Sequence, residues 1–396
     1  MSNTTQENKM GIMPVPKLLI TMSLPMILSM LVQALYNVVD SVFVSKISED
    51  ALTAVSLAFP VQNLMIAISA GTGVGINALL SRSLGERRFD NANTIAKNGI
   101  FLAVISSIIF GVLGGLSSHA FFLTQTDNPV IIEYGTQYMS IITIFSIGIF
   151  MQITLERLMQ STGKTIYNMI TQGLGAIINI ILDPILIFGM FGLPRLEVAG
   201  AALATIIGQV IALLLSLYLN CTKNTEININ MKQFRPHKKT ITAIYKIGIP
   251  SIIMQSIGSV MTFSFNNILL MFSSTAAAVF GVYFKLQSFI FMPIFGLTNG
   301  MIPIVAYNYG ARNRQRISQT LKLAIGIAVG IMCIGVILFQ TLPETFLSLF
   351  DASENMMEIG VPALRIISIS FPIAGYGIAC SAMFQALGNG VYSLIV

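Results

Sequence analysis

Apolar runs of 20 residues or more recur from one end of this 396-residue chain to the other, and that recurrence leaves few folds open. Inside a bilayer every backbone N–H and C=O must be satisfied by the protein itself, so a spanning segment is either a helix or a strand of a closed barrel. The runs here are continuous, which selects helices. Only 10% of the residues are charged, against about 25% in ordinary soluble domains. The expected fold class is all-α integral membrane. Met1 to Lys9 is polar and the next apolar stretch is too long for a signal-peptide core, so that stretch is expected to stay as the first helix.

Reading apolar segments between polar breaks gives ten helices at 16–45, 51–81, 94–117, 130–157, 163–190, 199–221, 243–272, 276–308, 317–341 and 356–386, followed by the start of an eleventh. With the N-terminus placed in the cytoplasm, 18 of the 22 basic residues fall on inner segments, among them Arg82, Arg87, Arg88, Lys164 and the run Lys232 to Lys239. Outer segments instead hold Glu49, Asp50, Asp127, Glu133, Glu197, Glu344, Asp351, Glu354 and Glu358. That asymmetry of Lys and Arg sets the orientation of a multi-pass protein in a cell membrane. It also explains the net charge of +6 without nucleic acid. The expected organisation is a cytoplasmic segment 1–15, a six-helix lobe 16–222, a basic linker 223–242 and a second lobe 243–396.

The lobes are copies, visible when the sequence is slid by 225 positions. Pro25 then meets Pro250, Gln62 meets Gln287, Gly71 meets Gly296, Gly85 meets Gly310, Arg87 meets Arg312 and Gly163 meets Gly388. Each copy begins with the same orientation, so a parallel repeat about an axis along the membrane normal is expected, the layout of many secondary transporters. By the same offset the second copy is expected to run to about residue 446, so that the chain reads as cut short after Val396.

Two stretches put acid where lipid should be. Gln33, Tyr36, Asn37 and Asp40 fall on one helical face, and Asn168, Gln172, Asn179 and Asp183 form a second stripe with Gly175 in register. A carboxylate in a bilayer-length apolar helix costs about 2.5–3.5 kcal/mol on insertion scales, so such residues face a bundle interior and mark an ion or substrate path. Asp40, Asn179 and Asp183, with Thr205 on the sixth helix, present several oxygens of the kind a hard cation such as Na⁺ takes. Proton uptake by a carboxyl in apolar surroundings is an equally natural chemistry. Gln33, Tyr36, Asn37, Asn168, Gln172, Gln209, Tyr283 and Gln287 are candidate walls of a substrate cavity. Pro25 and Pro184 each remove a backbone donor inside a helix and serve either as kinks or as hinges.

Other motifs carry less. Thr162-Gly163-Lys164-Thr165 resembles the tail of a phosphate-binding loop, but Leu158 stands where its first glycine would be, so a turn is expected. With no ATP site the chain is not read as a primary pump, and no cofactor or catalytic residue is expected. Cys221, Cys333 and Cys380 are isolated in or at the ends of apolar helices and read as packing. The second copy has Phe265 in place of Asp40 and no acid in its first three helices; Lys285, at the place of Pro60, either lines the cavity or snorkels to an interface.

Leu24-Pro25, Tyr36-Asn37-Val-Val-Asp40, Ala54-Val-Ser-Leu-Ala-Phe59-Pro60, Gly85, Gln160-Ser-Thr-Gly163 and Asn179-Ile-Ile-Leu-Asp183-Pro184 together resemble the multidrug and toxic compound extrusion family, in its MepA- and DinF-like branch. The resemblance implies two six-helix lobes in a V, a central cavity, and export of amphipathic, often cationic, compounds in exchange for H⁺ or Na⁺; a monomer is expected. It also implies an ion site in the first lobe at Asp40, Asn179, Asp183 and Thr205. Two rivals are weighed. A lipid-linked oligosaccharide flippase would want a cationic cavity, for which Lys285 and Arg365 are thin support. An intramembrane aspartyl protease needs Tyr-Asp and Gly-x-Gly-Asp, whereas Asp40 follows Val39 and Gly175 is followed by Ala176.

Overall fold

The computed structural model describes residues 8–232, 234–350 and 353–396; residues 1–7 of the N-terminal segment, position 233 of the linker, and Asp351 among the expected outer acids lie outside them. A short α1 (Lys9–Ile12) leads into α2 (Val15–Ser45), α3 (Glu49–Gly85), α4 (Phe89–Gln125), α5 (Pro129–Ile144), α6 (Ile147–Ser161), α7 (Thr165–Phe188) and α8 (Glu197–Lys223). The second lobe holds α9 (Lys238–Phe272), α10 (Ser274–Gly310), α11 (Arg314–Thr341), a short α12 (Pro343–Ser348), α13 (Glu354–Ser368), α14 (Phe371–Ala386) and α15 (Gly390–Ile395). No strand occurs among the described residues. Eight helices are long and apolar enough to span a membrane singly, and the pairs α5–α6 and α13–α14 bring the number to ten.

Those pairs are single expected helices that the structure bends, by 44° and 47°. At the first bend Thr143 turns its hydroxyl back onto the Met139 carbonyl and Ser146 donates to the Ser107 carbonyl of α4, so side chains stand in for broken ladder bonds. At the second, Pro372 opens α14 and has no N–H to give the preceding turn.

The repeat is written in the backbone. Ser48 and Ser273 are both extended N-caps that accept from the N–H three residues on. Arg87 and Arg312, non-glycine residues with φ of 58° and 57°, close the matching turns after α3 and α10. Gly163 and Gly388 follow suit at 86° and 85°, which makes Thr162–Thr165 the expected turn.

The lobes join through the same symmetry, α3 against α9 and α10 against α2. A methyl group on Gly85 would meet the Tyr307 carbonyl oxygen at 1.9 Å, and one on Gly310 the Arg82 carbonyl oxygen at 2.1 Å, so only glycine permits the approach. These contacts lie at the end of the molecule that carries the basic loops. Toward the acidic end Leu35, Val38 and Val42 of α2, and Ile257, Met261, Phe265 and Ile268 of α9, are exposed. The two lobes therefore form a V, closed at its basic end.

The segment before α2 straps that closed end. Asn8 Nδ2 donates to Glu226 Oε2 at 2.6 Å and to the Thr162 carbonyl at 3.1 Å, both in the first lobe and its linker. Met10 is fully buried in the core of the second lobe, and its carbonyl accepts from Asn308 Nδ2 and Arg316 Nη2. Burial pushes the Glu226 carboxyl up from its ordinary value and the Lys9 amine down, the two offsetting each other as neighbours of opposite charge.

Candidate ion and substrate site

Helices α2, α7 and α8 pack together in the first lobe. Between α7 and α8 the backbones come close where Gly208 faces the Gly175 carbonyl; a methyl group there would sit 2.7 Å from that oxygen. One turn on, that approach brings Asn179 of α7 beside Thr205 of α8, and Asn179 Nδ2 donates to Thr205 Oγ1 at 3.3 Å and Asp183 Oδ1 at 3.4 Å. Asp183 is fully buried, and the helix runs on through Pro184 to Gly189, whose φ of 73° ends it. From α2, Asp40 comes within hydrogen-bonding reach of Asp183. Tyr36, one turn earlier on the same face, lies close enough to feel both carboxyls.

The four residues expected to hold the coupling ion are thus brought together. Asp40 Oδ1, Asn179 Oδ1 and Asp183 Oδ2 are buried oxygens with no hydrogen-bond partner among the described residues. Unsatisfied buried acceptors are costly, at about 1–3 kcal/mol each. All three are hard oxygens, so they fit a proton or a Na⁺ ion, and no group of three or more His, Cys, Asp or Glu side chains suited to a transition metal occurs among the described residues.

Two residues not among the expected site residues join the cluster. Tyr138 of α5 is 1% exposed, hydrogen-bonds Gln62 of α3, and lies near Asp40, Tyr36 and Asp183. Gln62 had a signal, its repeat match to Gln287; Tyr138 had none, because the bend that swings α5 inward is not visible in hydropathy.

A third acid faces the lower part of the α7 stripe from a neighbouring helix. Glu156 of α6, 3% exposed, accepts from Thr171 Oγ1 at 2.9 Å, Gln152 Nε2 at 3.1 Å and Gln172 Nε2 at 2.7 Å. Glu156 lies in the last turn of the expected helix 130–157, where it has no expected role. Instead α6 continues to Ser161, and packing against α7 buries the carboxylate.

The remaining cavity candidates divide between the lobes. Asn168 is buried beside Met26, its Oδ1 without a partner among the described residues, and Gln209 Oε1 is likewise buried and unpartnered. Gln33 is half-buried and Asn37 exposed on α2. In the second lobe Tyr283 packs into the core beside Phe280, while Gln287 is half-buried. Lys285 is exposed and reaches toward the acidic end, its Nζ 5.9 Å from the centre of the Phe350 ring. Phe265, at the repeat position of Asp40, stacks on Phe280, so the second lobe puts an aromatic pair where the first puts an acid.

Known proteins resemble this chain in sequence and in fold. The chain is 28% identical to the multidrug export protein MepA of Staphylococcus haemolyticus over 94% of its own length and 82% of that protein. It is 26% identical to MepA of Staphylococcus aureus strain MSSA476 over 95% of its length and 83% of the relative. Among solved structures, a multidrug resistance transporter of this family in its outward-facing conformation superposes with a TM-score of 0.91 at 26% identity, covering all of this chain and 87% of that one. A second, a transporter crystallised with MaL6, gives 0.92 at 27% identity over 99% and 87% of the two chains. The MatE family model matches twice, at residues 25–185 and 250–396, two starts separated by the repeat offset itself. With both lobes matched in register over most of its length, the chain belongs to the MatE family of membrane transporters.

Proposed function

We propose that the protein is a secondary-active multidrug exporter in the cell membrane, taking amphipathic cations out in exchange for H⁺ or Na⁺ bound in its first lobe. The observation that carries this reading is the facing pair of half-buried Asp40 and fully buried Asp183, with buried, unpartnered oxygens and Asn179 and Thr205 beside them. Two bare carboxylates that close repel strongly in a medium of low dielectric, so the pair calls for a shared proton or a cation. The names of its relatives, multidrug export proteins and a multidrug resistance transporter, point the same way.

The basic end is then cytoplasmic, as the distribution of Lys and Arg requires, and the V opens outward. Drug occupies the cleft between the lobes, with Gln33, Tyr36, Asn37, Asn168, Gln172 and Gln209 on one side and Gln287 and the aromatic residues of α10 on the other. Ion binding at Asp40 alters the charge of α2, the helix loosened at Pro25, which touches both lobes. The protein acts as a monomer, since each chain carries both lobes.

Two measurements test the reading. In proteoliposomes, an inward H⁺ gradient and an inward Na⁺ gradient are imposed separately while efflux of a fluorescent cation is followed; acceleration by neither overturns antiport. For orientation, a single cysteine at Lys238 is expected to be shielded from an impermeant thiol reagent in intact cells and one at Glu354 to be labelled. The reverse pattern would invert the topology.

A further inference from the structure

The Glu156 cluster lies apart from the Asp40–Asp183 pair. Eleven residues of α7, about 16 Å of helix, separate Gln172 from Asp183, and the polar face between them carries Asn179 and Gly175. Both Glu156 oxygens are satisfied, and all their partners act as donors. Thr171 has a second acceptor in reach, the Asn168 carbonyl at 3.0 Å, so its hydroxyl proton can turn away from Glu156. The amides of Gln152 and Gln172 can each turn over and offer oxygen in place of nitrogen. Such a shell favours the carboxylate and, once one of these partners turns an oxygen toward it, accommodates the carboxylic acid as well.

The adjacent residue reaches across the closed end. Arg157 lies over Gly73 of α3, and its Nη1 donates to Gln160 Oε1 at 2.7 Å and to Asn299 Oδ1 of the second lobe at 3.0 Å. Gln160 Nε2 donates to the Asn299 carbonyl as well. Among the described residues Arg157 is the charged group acting on Glu156; α7 presents it Thr171 and Gln172, and the neighbouring α3, α4, α8 and α10 bring it no charge.

We infer that Glu156 is a second proton-binding site, on the basic-end side of the molecule, whose protonation weakens the Arg157–Asn299 bridge and opens the closed end. The inference rests on the proton-coupled form of the function proposed above. In the step itself the Glu156 carboxylate takes the entering proton and becomes a neutral acid, with no other bond made or broken. Arg157 then keeps a largely buried positive charge without its counter-charge, which favours moving it toward water and away from Asn299. Opening exposes Glu156 to the basic-end solvent, where the proton leaves and the bridge re-forms. The surroundings favour a proton over a metal ion, since the groups that touch the carboxylate are donors.

The test is the pH dependence of lobe separation, read without drug or gradient. The three native cysteines are changed to serine and spin labels are placed at Arg88 and Arg314, exposed turns at the basic ends of the two lobes. In the otherwise unaltered protein the label distance is expected to lengthen as pH falls. In Glu156→Gln, which carries the neutral form permanently, the long distance should dominate at every pH. Gln172→Leu removes one donor from the carboxylate and should raise the midpoint of the transition by about one pH unit, an effect that a merely structural contact would not produce. A wild-type pH profile in Glu156→Gln overturns the inference; if that variant does not assemble, an unmoved midpoint in Gln172→Leu does so. Unimpaired export by Asp40→Asn would instead sink the coupling reading on which it rests.

Discussion

The Asp40→Asn protein is expected to fold, to bind a cationic dye more weakly, and to lose gradient-driven export by about a hundredfold. If the site's affinity for its ion differs by about two decades between the two conformations, ion binding biases the equilibrium by about 2.7 kcal/mol, and removing the titrating group removes that bias. Asparagine keeps the size of the side chain and one acceptor oxygen facing Asp183, so the packing of α2 on α7 persists. Asp183→Asn should behave in the same way, because the two carboxyls act as one unit. Glu133→Gln serves as the control, since that side chain is far from the pair, near Tyr134 and Gln137 at the acidic end. The measurement is initial efflux rate in vesicles under a fixed gradient, and a wild-type rate for Asp40→Asn refutes the coupling role.

Gly85→Val is expected to hold the basic end open. Its first side-chain atom would lie 1.9 Å from the Tyr307 carbonyl oxygen and 3.0 Å from the Ala311 nitrogen. Both are backbone atoms, which cannot turn aside as a flexible side chain would. Overpacking in a rigid contact costs about 1–3 kcal/mol, and more when backbone must shift. The cost falls on contact between the lobes and not on either lobe's own core, so thermal stability should change little. The spin-label distance between Arg88 and Arg314 should lengthen at all pH values, and export should fall about tenfold or more, because the outward-open state is depleted. Gly310→Val meets the Arg82 carbonyl at 2.1 Å and should reproduce the effect from the other lobe. A wild-type distance in both variants would show that the close approach is not needed for closure.

The relation of chain to structure differs between features. The ten spans, the 225-residue offset and the acids on α2 and α7 were legible because each is a local or periodic property: hydropathy over about 20 residues, identity at a fixed spacing, charge against an apolar background. The grouping of Asp40, Asn179, Asp183 and Thr205 was an expectation from their oxygen chemistry, which the family resemblance also implied; the structure brings them together, with Asn179 set beside Thr205 by the close approach of Gly175 and Gly208. Other features had no signature in one dimension. Hydropathy averages over the bends at Phe145–Ser146 and Ile369–Ser370, so each bent pair read as one helix, the first of them ending at 157 where α6 runs on to Ser161, and Glu156 was given no role. Its three donors come from its own helix one turn earlier and from α7, a combination set only when those helices pack. Likewise residues 1–15 read simply as a cytoplasmic N-terminal segment, and it is the pairing of the lobes that turns Met10 into a core residue and makes its carbonyl the acceptor for Arg316. The sequence by itself determined which segments enter the membrane and where charge is buried in them, because transfer into lipid is a cost each segment meets alone. Tertiary structure decided which buried groups face one another, because that depends on contacts between helices far apart in the chain.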